Sequence, residues 1–199
     1  MEKERKRRTD IAGAVLAGGK SSRMGRDKAL LTLAGETFIE RVVRTLEEVF
    51  ESVVIISDRR ASYASLKVPV YADIFRNCGP LGGIHAALRM AKTKAIFVAS
   101  CDLVFLTSKD VLSIIDNPSR GDVVVASTES GVQPLCGVYS RACLQALEKH
   151  LRSGQLSVFR FLRQVSTSTI DISESKPVLM NINTLDEYTR AIGLLRGRE

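Results

Sequence analysis

The sequence predicts an open α/β fold built as one domain, and three observations predict it. Apolar, often β-branched runs alternate along the chain with segments of helical periodicity. The first apolar run, Ile11 to Ala17, passes straight into a long loop rich in glycine and cations. Two later apolar runs end in polar triplets, Ser57-Asp58-Arg59 and Ser100-Cys101-Asp102, the positions where ligands meet strand ends in open α/β sheets. A chain of 199 residues suits one such core. Residues 1–9 are expected to form a flexible basic tail and residues 10–199 a single domain, with no internal repeat or linker between them.

Taken in order, Ile11 to Ala17 reads as a buried strand. Thr37 opens a helix, with Glu40 completing a capping box, and Phe38, Ile39, Val42, Val43, Leu46, Val49 and Phe50 share one face. Val53 to Ile56 is β-branched and reads as an inner strand; Val68 to Tyr71 is a shorter one leading to Asp73. Asn77-Cys78-Gly79-Pro80-Leu81-Gly82-Gly83 is a second glycine-rich turn, with Pro80 suited to the first turn of the helix that follows. It is either an anion- or ribose-binding helix start or a tight turn whose glycines only permit close packing. Ala95 to Ala99 is a buried strand that delivers Asp102. Thr107 caps another helix with Asp110. Val123 to Ser127 and Leu135 to Tyr139 read as strands around a turn at Thr128–Gln133. Ser140 starts a helix ending near Gly154, and Ser157 to Val165 makes a shorter one. Leu179 to Asn183 alternates as a strand would, and Thr184 with Glu187 caps a final helix.

Chemistry concentrates in Leu16-Ala17-Gly18-Gly19-Lys20-Ser21-Ser22-Arg23-Met24-Gly25-Arg26-Asp27-Lys28, where Lys20, Arg23, Arg26 and Lys28 stand against one acid, Asp27. Glycines let the backbone approach a ligand and aim its N–H groups at phosphate oxygens, so this is a polyanion cradle. It is not a P-loop, because Gly25 is followed by Arg26 and Asp27 instead of Lys and Ser or Thr. Nor does Gly18-Gly19-Lys20 supply the Gly-x-Gly-x-x-Gly dinucleotide fingerprint. Asp102 at a strand tip is the candidate metal ligand, since Mg²⁺ needs only one or two protein carboxylates when phosphates and water complete its shell.

Leu-Ala-Gly-Gly-x-Ser-x-Arg-Met-Gly-x-Asp-Lys resembles the signature of nucleotidylyltransferases, and within them the chain is most similar to the molybdenum cofactor guanylyltransferase family, from Ile11 to about Ile192. The resemblance implies a nucleotide-diphosphosugar transferase-like fold, Rossmann-like, three-layered α/β/α, with a mixed but mostly parallel sheet. It implies nucleotide contacts at Leu16, Ala17, Gly18, Gly19, Asp73 and Gly82. Arg23 and Lys28 match phosphate-handling cations, Asp102 the metal-binding and catalytic acid, and Asn181 and Asn183 the acceptor side. Gln133-Pro134-Leu135-Cys136 is similar to a stretch lining the acceptor pocket. Ala-Gly-Gly resembles guanine users and Ala-Ala-Gly cytosine users, so the missing methyl at Gly18 would leave room for a purine. Three departures stand out: a single residue between Gly25 and Asp27, Val104 where the family often has proline, and Ile56 or Ser57 where some members place an asparagine.

The implied function is transfer of GMP from GTP to the phosphate of molybdenum-molybdopterin cofactor, with Mg²⁺ as cofactor and pyrophosphate as the second product. An ionised acceptor phosphate needs no strong general base, so His85 is expected to pack or cap, and His150 to sit favourably near a helix C-terminus. A cytidylyl- or sugar-phosphate nucleotidylyltransferase and a non-catalytic cofactor carrier remain the alternatives. The formal charge of +7 draws +3 from residues 1–8 (five cations, two acids), and aromatics do not interleave with the basic residues. Small phosphorylated ligands therefore explain the charge better than nucleic acid. No apolar run reaches the ~18 residues of a membrane span, and Cys78, Cys101, Cys136 and Cys143 form no Cys-x-x-Cys pair. A cytoplasmic protein is expected, handing its product to apo-enzymes or their chaperones.

Overall fold

Residues 6–18, 27–117, 121–172, 182 and 184–196 are described by the computed structural model of the chain. Among these residues seven strands form one sheet: β1 (Ile11–Leu16), β4 (Val53–Ile56), β5 (Val70–Tyr71), β6 (Ala95–Ser100), β7 (Val123–Thr128), β8 (Gly131–Ser140) and β9 (Thr167–Asp171). Their order is β5-β4-β1-β6-β8-β7-β9. β5, β4, β1 and β6 run parallel to one another, as do β7 and β9, while β8 runs antiparallel to β6 and β7 between them. A separate two-stranded hairpin joins β2 (Thr32–Leu33) to β3 (Glu36–Thr37).

Helices cover both faces. α1 (Phe38–Val49) and α3 (Ser108–Ile115) lie on one side, where Val42, Leu46, Val111 and Ile114 pack with Val15, Ile55 and Phe97. α2 (Gly79–Met90), α4 (Leu144–Arg152) and α5 (Val158–Leu162) lie on the other, where Ile84, Leu88, Leu147 and Phe161 pack with Ala14, Val54 and Val98. β1 is buried along its whole length, as a central parallel strand covered on both faces must be. The three-layer α/β/α arrangement expected from the resemblance is therefore present. The last helix, α6 (Leu185–Arg196), crosses back to the first half: Ala191 and Ile182 share a third cluster with Leu33, Phe38, Val104 and Phe105. The Tyr188 hydroxyl donates to the Thr32 carbonyl at 2.6 Å.

Both expected capping boxes, Thr37 with Glu40 and Thr107 with Asp110, are formed, and Thr184 with Glu187 exchanges the same two bonds ahead of α6. Several expectations are corrected. β8 starts at Gly131, not Leu135, because the turn is only Glu129-Ser130 and Gly131 takes a φ of +113° that favours glycine. The register then jumps from Ala126↔Gln133 to Val125↔Gly137, and this bulge accommodates Pro134, whose missing N–H would break a regular ladder. β5 is confined to Val70–Tyr71, because Pro69 has no N–H to donate, although its carbonyl accepts from Ile55 N at 2.9 Å. α5 spans only Val158–Leu162, with Ser157 as its cap. Arg8, read as part of the tail, is anchored: its N–H donates to Val49 O at 2.7 Å and its guanidinium pairs with Asp10 and Asp116 at 2.9 Å each. The strand expected at Leu179–Asn183 falls almost wholly outside the described residues.

Candidate active site

The carboxyl ends of β5, β4, β1 and β6 make one edge, and backbone bonds continue past the strands to set it. Ala17 N donates to Ile56 O at 3.0 Å, Ser57 N to Tyr71 O at 2.8 Å and Cys101 N to Leu16 O at 3.2 Å. The buried Ser57 hydroxyl donates to the Ala17 carbonyl at 2.9 Å, fixing the point where the glycine-rich loop departs. A Cβ built on Gly18 meets no atom of the described residues within 4 Å. Residues 19–26, with Gly19 and Arg23, lie outside the described residues, as do Asn181 and Asn183.

Where the loop returns, the Asp27 carboxylate does three jobs. It accepts from Ala29 N at 3.2 Å, capping the short 3₁₀ turn Lys28–Leu30; from the buried Tyr63 hydroxyl at 3.1 Å; and from Arg59 at 2.8 Å. Lys28 is thereby mounted on the β4–β5 connection. Its ammonium forms an ion pair with Asp102 Oδ2, so residues 74 apart in sequence meet at the tip of β6. The two side chains are 15% and 10% exposed, which leaves little water to screen the pair. Asp102 Oδ1 is buried and has no hydrogen-bond partner among the described residues.

Beside this pair, α2 begins hard against the same edge. Asn77 and Gly79 take φ of +58° and +60°, turning the chain into the helix. A Cβ on Gly82 would stand 2.9 Å from the Phe75 carbonyl and 3.5 Å from Asp73 Oδ2, and one on Gly83 would stand 3.2 Å from Leu16 Cδ2. The glycines of this turn permit close packing, and what they pack against is the Phe75 carbonyl, Asp73 and Leu16. Burial pushes the Asp73 carboxyl up to about 6, with the Asp58 charge adding to it. Among the expected site residues, Lys28 meets Asp102, and Asp73 meets Gly82; Leu16 and Ala17 hold the strand end between these pairs.

Sequence reasoning missed Ser57 as a brace, and Arg59 and Tyr63 as the mount for Asp27. Tyr63 sits in the 3₁₀ segment Arg60–Leu66, which carries no periodic signal. His85 packs, as expected: it is buried edge-on against Phe75 at 5.0 Å, with Nε2 3.4 Å from Glu148 Oε1. His150 is also buried, with Nε2 2.8 Å from Gln164 Oε1. Cys101, Cys136 and Cys143 are buried free thiols, while Cys78 is half-buried.

A divalent cation fits Asp102 only on certain terms. The partnerless Oδ1 offers a lone pair. Yet among the described residues no three His, Cys, Asp or Glu side chains cluster as a metal site. The donor set therefore suits a hard cation that arrives with phosphate and water oxygens, not one caged by protein. Among the described residues no helix is long and apolar enough to cross a membrane.

The family model of the MobA-like NTP transferase domain matches residues 13–168. The chain is 33% identical over 196 residues to the probable molybdenum cofactor guanylyltransferase of Carboxydothermus hydrogenoformans, covering 96% of this chain and 99% of that one. It is 34% identical to the molybdenum cofactor guanylyltransferase of Desulfosudis oleivorans, over 91% and 94% of the two chains. In structure it is similar to molybdopterin-guanine dinucleotide biosynthesis protein A of Archaeoglobus fulgidus, with a TM-score of 0.80 at 22% identity over 94% of this chain and 100% of that one.

Proposed function

The chain belongs to the MobA-like NTP transferase family, with the molybdenum cofactor guanylyltransferases as its relatives, and from that premise we propose that it transfers GMP from GTP to the phosphate of molybdenum-molybdopterin cofactor. An acceptor phosphate oxygen bonds to the α-phosphorus, the bond to the β-phosphate bridging oxygen breaks, and pyrophosphate leaves with that electron pair. The observation that carries this reading is the meeting of Lys28 and Asp102 at the carboxyl edge of the parallel strands.

The barrier is dominated by bringing two polyanions together and by charge on the leaving pyrophosphate. Lys28 contributes positive charge at the triphosphate, joined by Arg23 and the N–H groups of Gly18 and Gly19 from the loop. Asp73 and Gly82 face the nucleoside, and Leu16 and Ala17 form the floor beneath it. Asn181, Asn183 and the Gln133–Cys136 stretch serve the acceptor. Asp102 would hold Mg²⁺, which would supply Lewis-acid charge neutralisation at the triphosphate. Residues 10–199 act as one catalytic domain in the cytoplasm, and apo-enzymes or their chaperones take the product.

Pyrophosphate release decides the matter, measured with each nucleoside triphosphate, with and without molybdopterin cofactor. GTP is expected to give release that depends on both cofactor and Mg²⁺. Faster turnover with CTP would reject the guanine reading, and GTP binding without release would leave a carrier.

A further inference from the structure

We propose that Lys28 holds the cation position at Asp102 in the nucleotide-free protein, and that a divalent cation can take that position only when a triphosphate draws the ammonium away. The inference rests on the reading of Asp102 as the metal ligand and adds an order of events to it.

Four observations support it. The Asp102 carboxylate is only 10% exposed, so it needs a compensating charge at all times, and Lys28 supplies it. Asp102 Oδ2 is engaged by the ammonium while Oδ1 stays buried with no partner among the described residues, so half of the ligand is ready and half is blocked. The backbone of Lys28 is fixed through Asp27, Tyr63 and Arg59, but a lysine side chain is a flexible stem that can swing its charge between acceptors. Finally, no cluster of three His, Cys, Asp or Glu side chains exists among the described residues to outbid the ammonium for a hydrated dication. Adding two positive charges beside Lys28 and one carboxylate leaves the site uncompensated. A triphosphate removes that obstacle by accepting the ammonium and offering oxygens to the metal. Metal and nucleotide must then bind with positive coupling, and the coupling is reciprocal.

The test is titration of the nucleotide-free full chain with Mn²⁺, followed by electron paramagnetic resonance. Wild type is expected to show no site tighter than the millimolar range. Lys28→Met is expected to bind one Mn²⁺ at least about tenfold more tightly, a typical size for such a coupling. Lys28→Met/Asp102→Asn is expected to lose that site. A wild-type chain that binds one Mn²⁺ at micromolar concentration without nucleotide, and loses it in Asp102→Asn, would overturn the proposal with no need of the lysine variant. So would a folded Lys28→Met that binds no better than wild type. The underlying metal assignment fails separately: it falls if Asp102→Asn keeps the wild-type Mn²⁺ spectrum in a complex with the α,β-methylene analogue of GTP.

Discussion

Asp102 and Lys28 can be tested as a pair, because each neutralises the other in a nearly dehydrated setting. Removing one charge from a fully buried pair costs about 3–5 kcal/mol, and residual exposure here lowers that figure. Asp102→Asn and Lys28→Met are each expected to lower the melting temperature and to cut turnover by ~10²–10³, the range typical for a lost electrostatic contact. The double variant should regain stability without regaining turnover, as calorimetry beside a pyrophosphate assay would show. Gly18→Ala should leave the melting temperature unchanged, since a methyl there meets no atom of the described residues within 4 Å, yet raise KM for GTP. Asp73 makes a pH prediction. Its carboxyl titrates at about 6 in the fold against 3.8 unperturbed, so the folded state holds the proton over that interval and the unfolded state does not. Stability should fall as pH rises from 3.8 through about 6, then level off. Asp73→Asn should flatten that step and raise the melting temperature at pH 7, while weakening nucleotide binding.

The elements that place these groups differ in how plainly the sequence announces them. β1, β4 and β6 are continuous apolar runs, and the caps at Thr37, Thr107 and Thr184 are local side-chain chemistry, so all were legible. β9 was not: an edge strand of Thr167-Ser168-Thr169-Ile170-Asp171 is half-exposed and has one large apolar residue. The β2–β3 hairpin was missed because its turn is Ala34-Gly35, with φ of +51° and +81°, where a sequence reader looks for Asn-Gly or Asp-Gly. At the site, Lys28 and Asp102 were legible from residue type and strand position. The Asp27–Tyr63–Arg59 mount depends on a fold of the β4–β5 connection that no pattern encodes. The start of α2 carries its own test: in Gly82→Ala the new methyl would lie 2.9 Å from the rigid Phe75 carbonyl. The loop bearing Asp73 must shift, so KM for GTP should rise while a distant reporter, the buried Phe161, keeps its native environment.

Across the whole molecule, two blocks contiguous in sequence share one sheet. Residues 11–102 supply the parallel half with every described residue proposed to face the nucleotide, and residues 121–172 supply β7, β8 and β9, joined along the β6–β8 register from Ala95↔Ser140 to Ala99↔Cys136. Among the described elements α6 alone returns across that division, resting on Leu33 and Phe38 and holding the Thr32 carbonyl through Tyr188, two residues beyond the turn Lys28–Leu30. The far end of the polypeptide is thus a backstop for the segment carrying Lys28, the cation proposed to meet the triphosphate. Trimming the chain at Asn183 should leave the far-ultraviolet signature of the sheet in place, yet let the lysine-bearing segment drift and turnover collapse. Supplying residues 184–199 as a free peptide should restore part of it.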